Sequence, residues 1–175
     1  MKEREQKILL FVGDIYEDLE LQYPKYRLRE AGKQVVIAGE KRGEIYKGKH
    51  GYPAKADLSF DEVNESDFDA LIIPGGYAPD KLRKLPKVLE ITRKFHEQKK
   101  LIAFICHAGW IPISAKVIKG ITCTCYEAIK DDLINAGANY VDQSVVVDKH
   151  FISSRFPNDL PNFCREILKY LSKEK

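Results

Sequence analysis

Leu101-Ile102-Ala103-Phe104-Ile105-Cys106-His107-Ala108-Gly109-Trp110 is the stretch that decides the fold. Five apolar residues run unbroken into a cysteine and a histidine, and then into small residues. Such a run reads as a strand buried on both faces, as in a parallel sheet covered by helices. The residues from Ile111 to Ile118 read as a helix that stops at Gly120. Cys106 is thereby expected on the tight turn between strand and helix, the cysteine counterpart of a nucleophile elbow. At a helix N-terminus the dipole and the free amide hydrogens favour a thiolate. Ala108 and Gly109 let the backbone turn closely. A lone buried cysteine is more often packing than chemistry. Here the adjacent histidine and the neighbouring strands tip the balance.

Outward from this strand the same grammar repeats. Lys7 to Val12 reads as a first strand ended by Gly13 and Asp14. A helix opens at Glu17-Asp18-Leu19-Glu20, continues through Leu21, Pro24, Leu28 and Ala31, and stops at Gly32. Gln34 to Ala38 is a second strand. Glu44 to Ala56 reads as a short hairpin at the sheet edge, and Ser59-Phe60-Asp61-Glu62 as a capping box opening a short helix. Ala70 to Ile73 is a third buried strand, running into Pro74-Gly75-Gly76. Val88, Ile91 and Phe95 mark the helix before the cysteine strand. Beyond it come a strand at Ile121 to Cys125 and a helix from Glu127 to Ala136. A hairpin of Ser144 to Val147 with His150 to Ser153 follows. A strongly amphipathic helix through Leu160, Phe163, Ile167, Leu168 and Leu171 closes the chain. Alternating strands and helices predict an α/β flavodoxin-like three-layer sandwich, mostly parallel with an added β-hairpin. Length and the lack of a linker predict one domain over residues 1–175.

Sites in such sheets form beyond the carboxyl ends of the strands. Three segments end there with chemical groups or permissive backbone: Gly13 to Glu17, Gly75-Gly76 and Cys106-His107. Glu17 offers a carboxyl group that, if protonated, donates to the sulfur; taken alone it reads as an exposed charge at a helix start. An amide of Gly75-Gly76 with that of His107 forms a candidate oxyanion hole. His107 is a candidate acid or base. Cys123 and Cys125 lie two apart and read as strand packing, since His50, His96 and His150 supply no zinc spacing. Cys164 reads as core.

The bulk numbers narrow the class. Hydrophobic residues make up 44% and charged residues 31% of 175, as in globular proteins. A net charge of +3 without an arginine-rich run gives no argument for nucleic acid. No apolar run reaches membrane-spanning length, and Lys2 to Lys7 does not read as a signal peptide. The expected location is the cytoplasm. Four cysteines do not make a disulfide framework in a chain of this size.

Taken together, the segments resemble the PfpI family of intracellular cysteine proteases, within the ThiJ/PfpI superfamily. The segments are Glu17-Asp18-Leu19-Glu20-Leu21, Asp69 to Gly76, Ala78-Pro79-Asp80, Ile105-Cys106-His107, Lys130 to Gly137 and Ser153 to Pro161. The resemblance implies a Cys106 nucleophile with Glu17 beside it, an oxyanion pocket involving Gly76, and dimers or hexamers with the site near a subunit contact. It implies no cofactor and no metal. Its members are described as peptidases, glyoxalases and deglycases. Two departures stand out. Many relatives have Cys-His-Gly-Pro where this chain has Cys106-His107-Ala108-Gly109-Trp110, so Trp110 reshapes the substrate pocket. A glutamate that partners the histidine across subunits falls on Asp80, one methylene shorter; read from the residues alone, Asp80 is a helix N-cap.

The expected function is thus a cofactor-independent cysteine enzyme acting on peptide amides, reactive aldehydes or glycated adducts. The alternative is a redox-sensing or chaperone-like stress protein whose Cys106 is oxidised. Flavin or nucleotide binding lacks a glycine-rich phosphate loop, and glutamine amidotransfer lacks a downstream His-x-Glu, since Phe151-Ile152 follow His150.

Overall fold

The computed structural model describes residues 4–173, so part of the charged start from Lys2 to Lys7 lies outside the described residues. In chain order the elements are β1 (Lys7–Phe11), α1 (Asp18–Glu30), β2 (Gln34–Gly39), β3 (Ile45–Lys47), β4 (Pro53–Lys55), β5 (Leu58–Ser59) and β6 (Ala70–Ile73). There follow α2 (Ala78–Leu82), α3 (Pro86–Glu97), β7 (Leu101–Ile105), α4 (Trp110–Ser114), β8 (Thr122–Cys123) and α5 (Lys130–Asn135). The chain closes with β9 (Asn139–Tyr140), β10 (Val146–Asp148), β11 (Phe151–Ser154) and α6 (Leu160–Lys173).

Seven strands form the main sheet in the order β10-β11-β7-β6-β1-β2-β5. Every pairing is parallel except the β10–β11 hairpin. β1, β6 and β7 occupy the middle and are apolar on both faces because helices cover both: Ile8, Leu9, Leu10, Leu71, Ile72 and Leu101 to Ile105 are fully buried. α1 packs with α6, and α3 with α4, giving the two outer layers. The strand order reverses at β1, and the crevice that forms there opens at the carboxyl ends of β1, β6 and β7.

Three expectations need correction. The hairpin of β3 and β4 is a separate two-stranded sheet, not the edge of the main one. Its backbone is engaged by the loop after β1, with Ile15 N donating to Lys47 O and Lys49 N to Tyr16 O. The edge is instead the two-residue β5. The strand expected from Ile121 to Cys125 shrinks to β8, which pairs only with β9. The helix after Cys106 is a 3-10 turn over Cys106–Gly109 followed by the five residues of α4. It ends early, with Lys116 at φ 60°. So short a helix brings little dipole to the sulfur.

Candidate active site

Cys106 directly follows β7 and its φ is 63°, a left-handed conformation costly for a side chain. The sheet imposes it: Phe104 is in register with Ile73 of β6, and Ile105 with Ser154 of β11, so the chain must turn sharply to leave. The turn lifts the thiol above the sheet edge, where Sγ lies 3.2 Å from His107 Nδ1. The amides of His107 and Gly76 point at the sulfur and favour its anion. Burial acts in the opposite direction and dominates, raising the thiol above its ordinary range; the Glu20 carboxyl adds to the shift only when it is ionised. The same burial, with Lys49 nearby, lowers His107 and leaves a neutral imidazole able to accept a proton.

The carboxyl beside the sulfur belongs to Glu20, not to Glu17. Glu17 is the N-cap of α1, accepts from Leu19 N at 3.3 Å and pairs with Lys49 Nζ at 3.0 Å. Glu20 lies one turn further on, on the buried face with Leu21, Pro24 and Leu28. It is fully buried; Oε2 accepts from Gly75 N at 2.7 Å, while Oε1 has no hydrogen-bond partner. Burial pushes this carboxyl up to about 8, so it holds its proton at neutral pH. A neutral carboxylic acid can donate to a thiolate.

Gly75 is what lets the two groups meet. A Cβ there would lie 2.6 Å from Glu20 Oε2 and 2.8 Å from Cys106 Cβ. At Gly76 φ is +82° and a Cβ would lie 2.4 Å from the Glu17 backbone nitrogen, so only glycine fits. Glu17 N donates to Gly75 O, and Tyr77 N to Ile15 O, tying this loop to the start of α1.

Above these groups opens a cavity of about 610 Å³. Cys106, His107, Glu17, Gly76, Asp80 and Trp110 all line it beside Glu20, so the structure brings together every sequence-derived candidate except Gly75, which lies just beneath. Asp80 is not a helix cap: α2 begins at Ala78 with Tyr77 as N-cap, and Asp80 lies inside the first turn. Lys49, Tyr126 and Phe156 also line it, among others that the sequence does not single out. Tyr126 N donates to Cys106 O, and its ring lies 5.0 Å from the His107 ring.

Glu17, Asp18 and His50 place ligand atoms within 4.8 Å of one another. Those groups are already committed: Asp18 accepts from His50 N and Tyr52 N, and Glu17 holds Lys49. Cys123, Cys125 and Cys164 are buried free thiols, each pushed up to about 12 by burial. Among the described residues no helix is long and apolar enough to cross a membrane.

Comparison with known proteins places this geometry. The family model described as "DJ-1/PfpI family" matches residues 6–170. The chain is 50% identical over 165 residues to deglycase PfpI of Pyrococcus furiosus, covering 94% of this chain and 99% of that one. It is 42% identical over 168 residues to protein/nucleic acid deglycase 2 of Escherichia coli, covering 95% and 98%. Among solved structures, a two-domain protein of Anabaena variabilis with DJ-1/ThiJ/PfpI-like and ferritin-like domains superposes with a TM-score of 0.94 at 39% identity. That match covers 96% of this chain and 48% of that one, so this chain spans about half of the two-domain protein. A family model matched over residues 6–170, with a relative half identical across nearly the whole chain, makes the chain a member of the DJ-1/PfpI family.

Proposed function

We propose that the protein is a cysteine-nucleophile enzyme acting on reactive aldehydes or their adducts with amines, without a cofactor. The observation that carries this reading is the Cys106 sulfur, aimed into the cavity with His107 Nδ1 at 3.2 Å and two amides upon it. His107 takes the thiol proton as sulfur attacks the carbonyl carbon. The amides of Gly76 and His107 then stabilise the oxyanion, and the neutral Glu20 carboxyl stabilises the sulfur while it is charged. With methylglyoxal the hemithioacetal forms, a proton moves from one carbon to the next, and water releases lactate from the resulting thioester. With a glycated amine, the hemiaminal of methylglyoxal, the C–S bond forms at the carbinol carbon as the C–N bond breaks; His107 returns its proton to the departing amine, and the hemithioacetal left behind goes on to lactate by the same steps. The names of the relatives support deglycation over the redox-sensor alternative. Hydrolysis of peptide amides uses the same first step but must expel a poorer leaving group.

The test compares wild type and Cys106→Ala on methylglyoxal, a glycated amino acid and a casein-like peptide, scoring lactate, freed amine and cleaved peptide. Aldehyde and deglycase turnover should exceed peptidase turnover, and Cys106→Ala should abolish all three. Equal rates in wild type and variant would remove Cys106 from the reaction.

A further inference from the structure

The segment Lys130 to Gly137 is unused by the chemistry above, yet one of its side chains reaches the site. Asp132 of α5 accepts the Trp110 indole N–H at 2.8 Å. The Trp110 ring meets the His107 ring at 5.2 Å and 61°, an edge-to-face contact. On the far side of the chain of contacts, the Arg83 guanidinium lies 5.3 Å from the indole ring, and Arg83 Nε donates to Ser114 Oγ at 2.9 Å. The indole is therefore held by groups from α5, α4 and the end of α2. His107 receives no hydrogen bond on its ring other than the contact to Cys106 among those described. Its orientation thus rests on two aromatic neighbours, Trp110 and Tyr126.

We propose that Asp132 is a positioning residue for the proposed reaction: it clamps Trp110, and Trp110 holds the His107 imidazole with Nδ1 on the Cys106 sulfur. A free imidazole rotates about two bonds, and each wrong rotamer removes the base from the thiol. Misplacing a reacting group by about 1 Å costs up to about 100-fold in rate. The inference rests on the reading of Cys106 and His107 as nucleophile and base. It does not rest on the identity of the substrate.

The experiment is a double-mutant cycle between Asp132→Ala and Trp110→Phe, with Asp132→Asn as the conservative rescue. Phenylalanine keeps an aromatic ring but lacks the N–H that Asp132 accepts, and asparagine keeps an acceptor oxygen. On methylglyoxal, Asp132→Ala should lower kcat about 10-fold with KM within about 3-fold. Trp110→Phe should do the same, the double variant should equal either single one, and Asp132→Asn should lie within about 2-fold of wild type. In parallel, iodoacetamide alkylation of Cys106 is followed against pH, a readout that needs no turnover. The two alanine and phenylalanine variants should lose the limb due to His107, and Asp132→Asn should keep it. Additive losses, or an Asp132→Ala variant with wild-type kcat and alkylation profile, would overturn the proposal. Wild type with no turnover but with these shifts in alkylation would sink the enzymatic reading and leave the positioning intact. Thermal melts of each variant separate misfolding from misplacement.

Discussion

Glu20 is fully buried in the first turn of α1, a place where an acid costs stability unless it stays neutral. The sequence offers three acids at the start of α1, Glu17, Asp18 and Glu20, and Glu17 attracts notice because it lies nearest the end of β1. Helical spacing points to the last of them. Glu20 falls four residues before Pro24 and eight before Leu28, on the face that α1 buries. An acid on an apolar face is the informative exception. Its ionisation has a defined sign. The folded protein holds the Glu20 proton up to about pH 8, whereas the unfolded chain releases it near 4.5. Between those values the folded state binds more protons, so stability falls as pH rises through the window. Glu20→Gln should therefore raise the melting temperature at pH 8 more than at pH 5. It should also keep thiol alkylation within about 10-fold, since an amide N–H can donate to sulfur. Glu20→Ala should slow alkylation at pH 7 about 100-fold, while Glu17→Ala stays within about 3-fold. A Glu20→Ala profile identical to wild type would mean the carboxyl does not support the thiolate.

At the scale of elements, legibility followed burial. β1, β6 and β7 were readable to within a residue because unbroken apolar runs leave no other choice. The short strands β5, β8 and β9 were not, since two residues carry no period and only tertiary pairing makes them strands. After Cys106 the apolar residues continue to Ile118 while α4 stops at Ser114, so periodicity alone overextends that helix. At the opposite end of the sheet, another pair of elements meets. His96 from the last turn of α3 and His150 from the β10–β11 turn place Nδ1 and Nε2 3.0 Å apart. Burial, the neighbouring His96 and Lys149, and to a lesser degree Lys99, push His150 down to about 4, and Asp148 opposes them weakly. Here the unfolded chain binds more protons between about pH 6.5 and 4, so this contribution is complete above 6.5 and is lost as pH falls toward 4. His150→Gln should flatten the acid limb of a urea-midpoint profile by on the order of 1–2 kcal/mol, allowing for solvent about the half-buried pair. A wild-type midpoint that does not fall between pH 7 and 5 would dismiss the pair as a source of acid lability.

The whole molecule leaves one acid facing the cavity without a role in a single copy. Asp80 lines the same space as His107 from α2, and the resemblance to the PfpI family suggests that it serves a neighbouring copy. Mixing Cys106→Ala with Asp80→Ala under subunit exchange checks this. If Asp80 acts across a two-fold contact, mixed dimers regain one working site and activity recovers; if it acts within its own chain, mixing restores nothing. β7 has β6 on one side and β11 on the other, and β11 lies near the end of the chain. β11 is the last strand in chain order, and Ser154 is the residue that flanks Ile105 at the foot of the elbow. A copy cut short before residues 151–154 therefore keeps Cys106 but loses one of the two strands that fix its turn, so a truncated chain carries the thiol without the geometry that aims it into the cavity.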